Sequence, residues 1–177
     1  MNRRRDGAGA GPVHGLGLIE ILIALVVLSI GSLAAARMQV EGMRSSQSAY
    51  YNTQAYYMAS DMIDRMRANV EGVNDGEYDG RFVTGPGLAD PGCAGRACTP
   101  AQLAAQDLFD WSVRLHPSLA SIDATPSLPS GDGITARAEV TGTGDGQYTI
   151  DVRWAETVRG RLAEQSLSLG FVSEDRQ

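Results

Sequence analysis

The chain has no lysine; all 15 of its basic residues are arginine. Against 21 acids they leave a formal charge of −6, which argues against a general nucleic-acid binder with its basic face. There are two histidines, His14 and His116, so few histidine-based sites can be built. Two cysteines, Cys93 and Cys98, are too few for a cysteine-rich scaffold and suit one short disulfide. Aromatic residues make up 6%, so a core must rely on aliphatics and methionine. Proline is absent from Val13 to Gly85, which removes the usual helix breaker from a long stretch. What is present is ordinary for a folded chain: 43% hydrophobic and 20% charged residues in a length of 177. That length allows one domain, or one domain with an appendage.

The N-terminus narrows the class. Arg3, Arg4 and Arg5 form a positive cluster, followed by a Gly/Ala/Pro stretch that cannot build a core. Leu16 to Ala36 reads LGLIEILIALVVLSIGSLAAA, with Glu20 as its single charge. As a helix it spans about 31 Å, enough to cross a bilayer core. The arginines before it keep the N-terminus cytoplasmic, so the chain beyond Arg37 lies on the other side. Three readings compete. A plain anchor explains the length but not Glu20. A cleaved secretory signal explains the arginines, and Ala34-Ala35-Ala36 offers its cleavage site. A buried carboxylate carries an insertion cost and reads as functional, which favours the third reading.

That third reading is a short basic leader ending in Gly15, then a hydrophobic helix whose fifth residue is Glu20. Gly15, Leu16, Gly17, Leu18, Ile19 and Glu20 resemble the start of type IV prepilins. Leu16 and Gly17 depart from the commonest G-F-T-L-I-E form; the glycine, the Leu-Ile pair and the glutamate remain. The resemblance implies that a prepilin peptidase cuts between Gly15 and Leu16 and methylates the new amine. It also implies that Glu20 meets the Leu16 ammonium of a neighbouring subunit. Unpaired, either charge would be costly in a dry helix bundle.

The helical pattern continues past Arg37. Met43, Ala55, Met58, Ala59, Met62, Ile63 and Met66 recur at helical steps, which predicts one helix from Leu16 to Asn69, about 80 Å long. Asp61 and Arg65 are a favourably ordered i,i+4 pair. Asp61 and Asp64 could be read as a catalytic pair, but the nearby arginines favour a solvated ion-pair face. Ala59 to Asn69 resembles the D-M-A-D-R-M-R-A-N segment of PilV-type minor pilins, also called type IV pilus modification proteins. Asp107-Leu108-Phe109-Asp110-Trp111 and Leu128-Pro129-Ser130-Gly131-Asp132-Gly133 are similar to further segments of the same group.

Residues 70–99 look irregular and rich in turn signals. If the chain is exported, Cys93 and Cys98 meet an oxidising compartment and close a small disulfide loop. No further ligands flank them for a metal. Thr99, Pro100 and Gln102 start a second helix with Ala104, Leu108, Trp111 and Leu115 on one face. Pro117 ends it, and His116 faces its last carbonyls. The period then changes to two: Ile134, Ala136, Ala138 and Val140 alternate, then Tyr148, Ile150, Val152 and Trp154, then Leu167, Leu169 and Phe171. The Asp-Gly steps between them are explained as turns, without a calcium-ligand spacing.

The expectation is an α+β, pilin-like fold. Residues 1–15 are a leader, 16–36 a membrane and filament-core helix, 37–69 its continuation, and 70–177 a periplasmic head. The helix packs on a three- or four-stranded antiparallel sheet. The resemblance implies a minor pilin of the inner membrane, single-pass, later in the pilus. Its partners would be the prepilin peptidase, other minor and major pilins, and the inner-membrane assembly machinery. No catalytic residue, cofactor, metal or nucleic acid is expected. Two alternatives stay open: a pseudopilin of type II secretion, and a soluble domain released after Ala36.

Overall fold

The computed structural model describes residues 17–83, 88–115, 127–143, 146–158 and 160–173, with backbone alone at 81–83. The chain divides into two compact units, Met1–Ser45 and Ser46–Gln177. Helix α1, Leu18–Ala68, belongs to both.

In the first unit every described residue of α1 is exposed. Its large apolar side chains, from Leu18 to Leu33, lie open on the helix surface. In lipid such a run is stable as a helix because each backbone group bonds within the segment. The first turn closes on Gly17, whose carbonyl accepts from the amides of Glu20 (2.9 Å) and Ile21 (3.3 Å). Ser29 donates its hydroxyl to the Leu25 carbonyl at 2.7 Å, so that polar group is satisfied on the apolar surface.

In the second unit α1 becomes one-sided. Ala55, Met58, Ala59, Met62, Ile63 and Met66 are buried at three- and four-residue steps. Met43, expected on the same stripe, is 73% exposed because it belongs to the first unit. At Asn69 the chain turns. Its side-chain oxygen accepts from the Gly72 amide at 3.3 Å and caps a short helix, α2, over Val70–Asn74. A Cβ on Gly72 would come within 2.5 Å of the Asn69 side chain, so this turn demands glycine. The expectation that 70–99 is wholly irregular is therefore corrected. It contains α2 and a three-residue strand, β1, over Arg81–Val83. Both are too short to show periodicity; tertiary bonds define them.

Helix α3, Pro100–Leu115, begins as its sequence indicates. The Gln102 amide donates to the Thr99 hydroxyl at 3.3 Å, and the Thr99 amide donates to the Gln102 side-chain oxygen at 3.1 Å. This reciprocal pair is a capping box. Ala104, Leu108, Trp111 and Leu115 are buried, and the Trp111 indole donates to the Met58 carbonyl of α1 at 3.1 Å.

Strands β1, β2 (Arg137–Gly142), β3 (Gln147–Val158) and β4 (Arg161–Val172) form one antiparallel sheet in that order. Val140 faces Ile150, and Ile150 faces Leu169, so the apolar alternation is in register across three strands. Ala138, Val140, Tyr148, Ile150, Val152 and Trp154 are buried with the methionines of α1 and the apolar face of α3 in one core. The sheet starts later than the alternation suggests. Ile134 is bridged to Gly131 around Asp132 (φ 45°) and Gly133 (φ 81°), two positive-φ residues that make a tight turn before β2.

Cys93 and Cys98 are disulfide-bonded, with Cα atoms 5.8 Å apart. The loop rests on α3, where the Cys93 amide donates to the Gln106 side chain at 3.1 Å. Its closure stabilises the fold by about 2 kcal/mol in the chain-entropy account. In exported protein both thiols should resist alkylation until a reductant is added, and reduction should lower the melting temperature. Labelling of both without reductant would contradict the bond.

Candidate functional site

Two places carry polar chemistry of note. The first is the start of α1. Gly15 and Leu16 lie outside the described residues. Glu20 is the acidic residue of the first helical turn, where the helix dipole favours negative charge. It lines a shallow depression with Ile21, Ala24, Leu25 and Leu28. Among the described residues it has no ion-pair partner. A lone carboxylate on an apolar helix surface can accept a cation from another molecule once water is excluded.

The second place is a polar junction in the head. Arg65 donates from Nε to Asp61 at 2.9 Å and from Nη1 to Asp107 at 3.1 Å and Asp110 at 3.3 Å. Arg114 also pairs with Asp61, at 3.0 Å. Behind them the buried Tyr78 hydroxyl donates to Asp107 at 2.6 Å and accepts from the Asn69 amide at 3.0 Å. The same Asn69 side-chain nitrogen also donates to the Pro100 carbonyl at 2.8 Å. The segments 59–69 and 107–111, singled out separately in the sequence, thus meet at Arg65 and Asp107.

This corrects the reading of one solvated ion-pair face. Asp64 and Arg67 do form an exposed pair at 3.1 Å. Arg65 does not belong to that face; its side chain is 21% exposed and bridges two helices. The overlooked signal is Asp107. It falls on the buried face of α3, and a carboxylate there requires a partner. Asp61, Asp107 and Asp110 are all committed as acceptors, which gives the cluster a positioning chemistry. Among the described residues no group of three or more His, Cys, Asp or Glu is arranged to hold a metal ion. His116 lies outside the described residues.

Burial opposes the charge on Arg65, but the hydrogen bonds and attraction of Asp61 and Asp107 outweigh it and raise its pKa. Tyr78 is likewise held above its ordinary value of 10.0, first by burial and then by its bond to Asp107.

An exposed apolar helix long enough to cross a membrane, with a head of short helices and an antiparallel sheet, fits a pilin-like, membrane-anchored protein. Residues 12–36 match the prokaryotic N-terminal methylation motif. Residues 37–109 match the family described as Tt1218-like, type IV pilin Tt1218. The two matches adjoin and cover 98 of the 177 residues, 12 to 109. Both matches support a type IV pilin. That family is structural, and the methylation motif implies processing by a prepilin peptidase and assembly with other pilins. Neither match names the PilV type. No curated protein and no solved structure matches the chain.

The Tyr78 environment gives a pH test. A raised pKa means that the neutral form is favoured in the fold. Its contribution is fully present below about pH 10 and is lost as pH rises beyond, where the unfolded tyrosine ionises first. Tyr78→Phe should cost about 1–2 kcal/mol near neutrality, because Asp107 and Asn69 each lose a partner. It should also flatten the alkaline fall in stability. Denaturation curves from about pH 7 to about pH 11 would show this; an equally steep fall in the variant would contradict it.

Proposed function

We propose that this type IV pilin is a minor pilin that helps start, prime or modify filament assembly. The observation that carries the reading is the junction of its two family matches. A methylation motif lies over the apolar half of α1, and a pilin domain begins at the next residue. The resemblance of residues 59–69 and 107–111 to PilV-type proteins favours a minor over a major role.

In this reading residues 1–15 are removed by cleavage between Gly15 and Leu16, and the Leu16 amine is methylated. Residues 16–36 hold the precursor in the inner membrane, with the N-terminus cytoplasmic and the head periplasmic. The assembly machinery then extracts it into a filament with other minor and major pilins. Extraction is feasible because packing against other helices replaces contact with lipid tails. The Leu16 ammonium of a neighbour pairs with Glu20. Opposite charges in a dry bundle attract strongly, and their pairing sets the register of adjacent helices even where its net stabilisation is small.

A pseudopilin of type II secretion shares the leader, the helix and the small sheet, and it is the second reading. The PilV-like segments speak for the pilus. Release of a soluble domain after Ala36 is a further reading, and Glu20 near the start of the apolar run speaks against it.

Glu20→Ala separates anchoring from assembly. The variant should insert at least as well, since the segment becomes more apolar, and cleavage after Gly15 should persist. Its recovery in sheared pili should fall by roughly tenfold, the effect of losing about 1.4 kcal/mol of pairing. Recovery equal to the parent would remove Glu20 as the assembly determinant and leave a protein acting from the membrane.

A further inference from the structure

The hydrogen bonds of the disulfide loop do not stop at the surface of α3. The Cys93 amide donates to the side-chain oxygen of Gln106, and the Gln106 side-chain nitrogen donates to Asp110 at 3.0 Å. Asp110 accepts in turn from Arg65 at 3.3 Å. The middle position suits an amide side chain, which accepts at one end and donates at the other. A glutamate there would set one carboxylate against another. The loop is thus joined to the Arg65 junction through the Gln106 side chain.

Apolar packing contributes little to holding the loop. Among the described residues none from Ala89 to Thr99 enters the hydrophobic core. Ala94 to Ala97 are exposed. The Arg96 guanidinium donates to the Pro91 carbonyl, and the Arg96 amide to the Cys93 carbonyl at 3.3 Å; both bonds are internal to the loop. With no apolar burial to offset its ordering, the loop depends on its covalent closure. Helix α3 has its own hold, because Ala104, Leu108, Trp111 and Leu115 are buried in the core. The two arms of the junction on α3 differ as well. The Asp107 side chain is 9% exposed and also bonded to Tyr78, whereas that of Asp110 is 41% exposed.

We propose that the Cys93–Cys98 disulfide is a redox latch on the Arg65 junction. Closed, it holds the Cys93 amide against Gln106 and so holds Asp110 toward Arg65. Opened, it frees residues 89–98 and the Asp110 arm, while the buried Asp107 arm keeps α3 on α1. Opening requires a dithiol reductant. The S–S bond breaks, each cysteine sulfur takes up one electron and one proton, and the reductant gives these up and closes its own disulfide. A reducing cytoplasm keeps the latch open, and an oxidising compartment closes it. Export sets only the timing; the coupling stands independently of the minor-pilin reading and of cleavage after Gly15.

Coupling is reciprocal: if the latch favours the Asp110 arm, that arm favours the latch. The test equilibrates the full chain, in detergent micelles, with mixtures of a reduced and an oxidised dithiol, and reads the disulfide fraction by alkylation. Asp110→Ala should lower the equilibrium constant for disulfide formation roughly threefold in the parent and leave it unchanged in a Gln106→Met background. Gln106→Met alone should lower it at least as much. Asp64→Ala, which breaks an exposed pair off the junction, should leave it unchanged. An Asp110→Ala effect that is absent, matched by Asp64→Ala, or equally large in the Gln106→Met background would overturn the proposal. Amide hydrogen exchange of the parent decides the matter if the Gln106 variant fails to fold. On reduction, amides of residues 89–103 should exchange roughly tenfold faster or more, while those of 107–115 keep their protection. Faster exchange throughout 100–115, or no change in 89–103, would also overturn it.

Discussion

The guanidinium of Arg65 is shared among Asp61 on its own helix and Asp107 and Asp110 on α3. Much of the head's connectivity converges on it. Asp107 accepts from the Tyr78 hydroxyl, Tyr78 accepts from Asn69, and Asn69 caps α2 while holding the start of α3 through Pro100. The end of α1, the turn after it and both ends of the α3 contact are thus fixed by one connected set of polar bonds. Such a cluster is poor evidence for stability as such, since desolvation offsets much of the attraction. Its worth is in specifying one arrangement. Packing of methionine, leucine and alanine tolerates small slides of one helix past another; bonds of fixed length do not.

The same constraint governs the rest of the head. With α3 set, Trp111 reaches the Met58 carbonyl. Tyr148 of β3 donates to the Val73 carbonyl at 2.6 Å, and Asp79 accepts from the Gly142 amide at 2.7 Å. These two bonds tie the sheet to the segment that Asn69 initiates. Gly142 has little room for any side chain, because a Cβ there would lie 2.9 Å from the Tyr148 ring. The other half of α1 obeys a different rule. Its apolar stretch up to Ala36 carries one carboxylate, Glu20, and an exposed surface suited to lipid or to other helices.

Most of this was legible in the sequence where a pattern is long. The helix, the capped α3 and three alternating strands arise from period and capping chemistry. The antiparallel order arises from short turns. What escaped depends on distant contacts. Helix α2 and strand β1 are too short to carry a period. Arg65 reads as one of several surface arginines until Asp107, 42 positions away, is placed beside it. Met43 continues a stripe whose core ends before it. The N-terminal site was legible as a motif; the fold supplies its helical setting and the exposure of Glu20, while the cut itself is a matter of processing.

The proposed function turns on cleavage after Gly15. The measurement that tests it most directly is the mass of the mature N-terminal peptide from membrane-resident or filament-resident protein. A processed pilin should begin at N-methylated Leu16. A chain beginning at Arg37 would show release by an ordinary signal peptidase, and one retaining residues 1–15 would show a plain anchor. Either would contradict a processed pilin.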